Sequence, residues 1–202
     1  MAPPSSGEKS GDPERRAQIL DCAEKLLSHY GPSKTTIGDI AREAGIGIGS
    51  VYLEFGSKDE IIGELAGRRH GRVLAAMRAA AAHGSYAERL THALEARIHA
   101  FFELATQGMH ACDLVFCKSA PVKIAYGRFR EDELTFVAEL LREGTRAGEL
   151  DVKQPKRAAE LIQRAYVTFG PPWVFEQDRR EALVCVRAMN DLLLLGMVRR
   201  RP

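Results

Sequence analysis

The stretch from Thr35 to Lys58, TTIGDIAREAGIGIGSVYLEFGSK, limits the folds open to this chain more than any other. Thr36 and Asp39 stand three apart, the spacing at which a hydroxyl and a carboxylate satisfy orphan backbone donors at a helix start. A short helix therefore begins here. Ile37, Ile40, Ala41 and Ala44 recur at offsets of three and four, which gives that helix one apolar stripe and leaves Asp39, Arg42 and Glu43 outside. Gly45 stops it. Ile46 follows as a lone apolar plug in the turn, and a second short helix, from about residue 48 to 54, turns Ile48, Val51 and Phe55 inward. Two short helices joined by a glycine-containing turn of three or four residues describe a helix-turn-helix.

The second helix suits the major groove of duplex DNA, which is about 12 Å wide and admits one helix with its side chains. Gly47, Gly49 and Ser50 keep its outward face small, with Tyr52 and Leu53 at the rim. Glu54 is awkward on such a surface: it either accepts from a cytosine amino group or turns away to pair with a nearby cation. Residues 1–70 contain nine Lys/Arg against eleven Asp/Glu, so affinity rests on placed contacts and not on a general basic footprint. Lys34 and Lys58 flank the reading surface.

At Thr35, Thr36, Asp39, Ile40, Ala41, Ala44, Gly45, Gly49, Tyr52, Phe55, Ser57 and Lys58 the stretch resembles the N-terminal DNA-binding domain of the tetracycline-repressor (TetR) family. It departs from the family pattern at Gly47, where a serine is usual, at Ile48, often polar, and at Glu54, usually His or Tyr. Glycine still caps a helix at a cost of only a few tenths of a kcal/mol. The resemblance implies an all-α fold: an N-terminal three-helix helix-turn-helix domain and a C-terminal helical ligand-binding and dimerisation domain. It implies a homodimeric transcriptional repressor released from a palindromic operator by a small-molecule effector. DNA contacts then fall to Thr35, Thr36, Gly38, Ser50, Tyr52 and Lys58, with the hydroxyls of Thr35, Thr36 and Tyr52 donating to phosphates, and Gly47, Ile48, Gly49 and Leu53 lie against bases. The effector pocket is lined by candidates Phe101, Phe116, Tyr126, Phe129, Tyr166 and Trp173. An ordinary aromatic core is the competing reading of each of the six.

The remainder of the chain reads as helical. Residues 1–12, rich in Pro, Ser and Gly, form a disordered arm by composition. A helix begins at Pro13, capped by Asp12, and carries Leu20, Ala23, Leu27 and Tyr30 up to the stop at Gly31-Pro32. It packs across the motif to complete a domain over 13–60, and 61–202 form the regulatory part. Ser57 with Glu60 starts a long helix, running to about residue 82, with Ile61, Leu65, Arg69, Val73 and Met77 in one row. Its first-turn amides and Lys58 offer a seat for a phosphate. Gly63, Gly67 and Gly71 recur every four residues, each weakening the helix by up to roughly 1 kcal/mol relative to Ala. They make it a bendable connector or a close-packing face.

Further helices are expected over 86–105, 121–147 (carrying Ile124, Phe129, Leu134, Val137 and Leu141), 155–169 (with Ala158, Leu161, Ile162 and Ala165 inside) and 178–199, with a weaker stretch around 109–117. The last two contain more apolar surface than one protomer's core needs, and the resemblance makes them the dimer interface. Arg199, Arg200 and Arg201 complement the negative end of the final helix.

At 45% apolar and 28% charged residues the composition is that of an ordinary globular protein. No stretch approaches the roughly 18 apolar residues of a membrane span, and the first residues lack a secretory h-region; a cytoplasmic location is expected. Cys22, Cys112, Cys117 and Cys185 have neither disulfide-framework nor zinc spacing, so no metal or cofactor is expected. Cys112 and Cys117 read as small apolar residues, or as a redox pair. The alternatives are a helical DNA-binding regulator without a small-molecule ligand and a helical enzyme using Cys117 or His110, for which no catalytic spacing speaks.

Overall fold

The computed structural model describes residues 12–116 and 119–197. Among them the fold is all-α, with eight helices: α1 Pro13–Tyr30, α2 Ile37–Glu43, α3 Ile48–Glu54, α4 Lys58–Ala80, α5 Tyr86–Ala105, α6 Ala120–Arg146, α7 Pro155–Ala165 and α8 Arg179–Met197. Short 3₁₀ turns at Ala111–Leu114, Val167–Phe169 and Trp173–Glu176 join them. The expected arm, Cys117 and Arg199 to Arg201 lie outside the described residues.

α1 to α3 and the first half of α4 form the head. Asp12 caps α1 by accepting from the amides of Glu14 and Arg15. Ile19, Leu20, Ala23 and Leu27 of α1 then close on Ile40, Val51 and Phe55, all at most 4% exposed. Ile61, Ile62, Leu65 and Ala66 of α4 share this core, and so do Leu114, Val122 and Ala125 from farther along the chain. Val73, Leu74 and Met77 of α4 belong to the second core, with Leu94, Ile98 and Phe101 of α5, Phe129 and Leu141 of α6, Ile162 of α7 and Val186 of α8. One unbroken helix thus belongs to both parts, and no linker divides them.

The loop after α5 is pressed against the end of α1. Gly108 has φ +143°, and a Cβ there would fall 2.6 Å from the Ser28 carbonyl oxygen, which also accepts from the His110 amide at 2.8 Å. Only a glycine permits that approach. Inside the body, Arg97 and Glu133 form an ion pair, both about 4% exposed. It is tolerated because its remaining valences are filled: Arg97 Nη1 donates to Phe169 O at 2.8 Å and Glu133 Oε2 accepts from Gln163 Nε2 at 3.0 Å.

Several apolar residues expected inside are not. Tyr30, Ile124 and Leu161 are 52%, 57% and 51% exposed, and Ile48 and Ala165 also face out. Each falls at the edge of its stripe, where helical spacing no longer tells core from rim. The helix expected over 155–169 ends at Ala165, because the chain tightens there into a 3₁₀ turn. Of the three glycines spaced along α4, only Gly63 meets a close neighbour, Pro121 at 3.2 Å from a built Cβ; Gly67 and Gly71 face open space.

His70 of α4 is 2% exposed and stacks on Phe129 with ring centroids 5.3 Å apart. Burial lowers its pKa to about 4, against a smaller raising effect of the Val115 carbonyl 3.0 Å from Nε2. The folded chain therefore holds a neutral imidazole where the unfolded chain takes up a proton. Between pH 6.5 and about 4 the unfolded state binds more protons, so stability rises with pH across that window and its contribution is complete above it. The loss on acidifying through the window should be about 3 kcal/mol, measured by urea unfolding at fixed pH values. His70→Phe should remove that slope, and an unchanged slope in the variant would show that the proton is taken up elsewhere.

Candidate nucleic-acid interface

The motif is held by local chemistry at each end of its two helices. The Thr36 hydroxyl accepts from the Asp39 amide at 3.1 Å and donates to Asp39 Oδ2 at 2.6 Å, while that oxygen accepts from the Thr36 amide at 3.0 Å. The Thr36 hydroxyl and then its amide hold the Asp39 carboxyl below the usual range. At the other end Gly45, with φ +66°, donates to Arg42 O, and Ile46 donates back to Ala41 O at 3.0 Å. This is a Schellman closure, and it folds Ile46 onto the head core as the plug expected of it. α3 starts at Gly47 with no side-chain cap.

Glu54 resolves as the inward alternative. It is 7% exposed, and its Oε1 accepts from the Asp12 amide at 3.1 Å and from Arg15 at 3.4 Å. Arg16 braces the same corner, bonding the Glu54 carbonyl and Glu64 and lying 4.0 Å over the Phe55 ring. Spacing gave no warning of this clamp, since its partners lie 38 and 48 residues away.

The residues expected at DNA fall into two groups. Gly47, Ile48, Gly49, Tyr52 and Leu53 form one exposed face of α3, the last two 54% and 63% exposed, with Ser50 half-buried beside them. Gly38 sits half-buried in the first turn of α2, and a Cβ on it would lie 3.7 Å from Ile48. Behind this face, Thr35 is 2% exposed and its hydroxyl donates to Gly31 O at 3.0 Å. The Lys58 ammonium donates to Pro32 O at 2.7 Å and Thr35 O at 3.0 Å. Thr35 and Lys58 therefore tie the turn before α2 to the start of α4. The α4 start is itself capped by Ser57 and Glu60, with Asp59 and Glu60 in its first turn. The exposed cations near the face include Lys34 and Arg42, the latter with its side chain 80% exposed and Asp39 at 3.3 Å.

The six aromatic candidates do not surround one cavity. Phe116, Tyr126, Phe129 and Phe101 form a chain of ring contacts with centroids 5.4, 6.2 and 5.8 Å apart. Phe101 and Phe129 are both buried, and Phe129 alone of the six lines an open groove between α4 and α6. Tyr166 is buried and hydrogen-bonds Asn190 across to α8, and Trp173 is 50% exposed. Cys22 and Cys112 are half-buried, and burial pushes both thiols up. Among the described residues no group of three or more His, Cys, Asp or Glu converges as a metal site, and no helix is long and apolar enough to cross a membrane.

Because its ammonium is spent on two carbonyls, Lys58→Met should cost about 1.5–3 kcal/mol of stability, the range for hydrogen bonds to a charged group. Lys34→Met, fully at the surface, should stay within about 0.5 kcal/mol. Urea unfolding of the two variants checks the contrast; equal stabilities would mean that Lys58 swings free.

Comparison with known proteins agrees with this geometry. The family model described as bacterial regulatory proteins, tetR family, matches residues 19–65. The HTH-type transcriptional repressor KstR2 of Rhodococcus jostii (strain RHA1) is 42% identical over 65 residues, which span 32% of this chain and only 32% of that relative's length. The HTH-type transcriptional regulator AcrR of Shigella flexneri is 26% identical over 214 aligned positions, covering 94% of each chain. A crystal structure assigned to the TetR family, from Mesorhizobium loti MAFF303099, superposes with a TM-score of 0.73 at 16% identity, covering 96% of this chain and 100% of that one. Residues 19–65 of the head are thus similar to the TetR family of bacterial regulatory proteins, and the helical fold behind them is shared with a crystal structure assigned to that family.

Proposed function

We propose that the chain is a homodimeric, sequence-specific DNA-binding repressor that leaves a palindromic operator when a small molecule binds its body. The observation that carries the reading is the face of α3: Ile48, Tyr52 and Leu53 stand more than half exposed beside Gly47, Gly49 and Ser50 on a head whose core is closed. Large apolar side chains clustered on one small rigid face want a partner, and an α-helix of this width fits the major groove. There Leu53 and Ile48 meet thymine methyl groups and Ser50 a base edge, while Tyr52, Lys34 and Arg42 meet phosphates; the Thr36 hydroxyl, expected to donate to phosphate, is engaged by Asp39 instead. Lys58 and Thr35 act from behind by holding the turn.

A dimer is supported by the far end of the molecule. Leu161 of α7 and Val184, Leu192 and Leu195 of α8 are 51% to 67% exposed, an apolar surface that a second copy would cover. Two heads about 34–36 Å apart meet successive major grooves, which is what makes the operator palindromic. Release then follows from linkage: an effector lowers operator affinity by exactly as much as it prefers the state with the wrong spacing. The names of the relatives, a repressor and a regulator, agree with this role.

Binding-site selection is the test. The wild type should recover a palindrome; Ser50→Ala and Leu53→Ala should change the preferred bases, whereas Tyr52→Phe and Lys34→Ala should weaken all sequences alike, the latter reducing the salt slope by about one. Leu192→Glu with Leu195→Glu should give monomers in ultracentrifugation that no longer hold the palindrome. A monomeric wild type, or unchanged preference in both base-facing variants, would overturn the reading.

A further inference from the structure

α4 and α6 part on one side to leave a groove of about 960 Å³ that runs from the start of α4 beneath the head to Leu74 in the body. That volume is at the upper end of small-molecule sites. Its apolar wall is made by Leu74, Pro121, Ile124, Ala125 and Phe129, and Ile124 stands 57% exposed in it.

Gly67 and Gly71 keep the groove wide. A Cβ on either would meet nothing within 4 Å, so no packing demand excludes a larger residue. Each nevertheless weakens the helix relative to Ala. What these two positions secure is empty space along α4.

The charges around the groove are unequal. Asp59, Glu60, Glu64 and Asp132 face Arg68 and Arg128. Arg16 bridges Glu60 at 3.6 Å and also Glu64, while Arg68 is held by Asp21 at 2.9 Å. Asp59 and Asp132 are left against Arg128, so the carboxylates prevail. The wall also holds His70, whose Nε2 lies 3.0 Å from the Val115 carbonyl and so carries the proton. Its Nδ1 is an acceptor, and it has no partner.

We infer that this groove is the effector site and that it takes an apolar organic ammonium, the hydrocarbon body along Gly67, Gly71 and Ile124 and the N–H donors toward the carboxylates and the His70 acceptor. The inference rests on the regulatory reading above and supplies its ligand class. The position suits the task. α4 carries the head, and Val122 and Ala125 at the start of α6 are part of the head's own core, so a body wedged between these helices acts on the reading face without a relay.

The experiment compares binding of a panel of aryl-alkyl amines, beginning with phenylbutylamine, and of the matching alcohols and carboxylic acids, to the full chain by calorimetry. The second protein is the double variant Gly67→Leu, Gly71→Leu, which fills the groove and should melt no lower than wild type because both changes favour helix. Saturable binding of amines to wild type, weaker binding of alcohols and acids, and loss of amine binding in the filled variant are expected. Failure of every amine to bind, equal binding to the filled variant, or acids binding as tightly as amines would overturn the assignment. Retention of duplex DNA by both proteins without any amine is measured alongside. If both retain DNA while the amine result fails, only the groove assignment falls; if neither retains DNA, the regulatory reading falls.

Discussion

The guanidinium of Arg69 holds three parts of the molecule with one buried charge. It is 1% exposed, and it donates from Nε to Glu24 at 2.9 Å, from Nη2 to the Ser28 hydroxyl at 2.9 Å and from Nη1 to the Ala111 carbonyl at 3.0 Å. Burial pulls its pKa down and Glu24 opposes that shift. A charge so placed is tolerable only with every donor engaged, and taking away one partner of a buried pair costs about 3–5 kcal/mol. The arrangement therefore admits few alternatives: α1 of the head, α4 and the 3₁₀ turn of the body move together or the charge is left bare.

Two other contacts have the same consequence. Gly108 lets the loop after α5 close on the Ser28 carbonyl, and His70 lies stacked between α4 and Phe129 of α6. The loop after α5 is thus tied to α1 of the head, and α4 to α6. In the regulation proposed above, a ligand that changes the gap between α4 and α6 acts on helices that are tied directly to the head. Coupling of this kind needs differential binding energy between two states, and the groove beside Gly67 and Gly71 is where the described residues leave room for it.

Much of the head was legible because its determinants are local. The three-residue spacing of Thr36 and Asp39, the glycine at position 45 and the plug at Ile46 each act over a few residues, and each reappears as a hydrogen bond or a packed side chain. Arg69 also fell in its apolar row by spacing, although its partners, 41 to 45 residues away, did not. What escaped is non-local or negative. The inward turn of Glu54 toward a cation is one of its two sequence readings, but spacing does not reveal Arg15 and Asp12 as its partners, and Lys58 is drawn to two carbonyls 26 and 23 residues back. The aromatic residues drew attention to the body's interior, yet of the six only Phe129 lines the open volume, which lies where Gly67 and Gly71 contribute no side chain. Helical periodicity likewise places Leu161, Leu192 and Leu195 on an apolar face without saying whether the cover is this chain or another.

In the proposed complex α3 meets the DNA while the joint behind it stays closed. Amide hydrogen exchange of the full chain is measured with and without duplex carrying the selected palindrome. Exchange should slow over residues 47–53 on adding DNA, with the amides around Ser28 and Arg69 equally slow in both states. Unchanged exchange across α3, or slowing confined to the body, would contradict this arrangement.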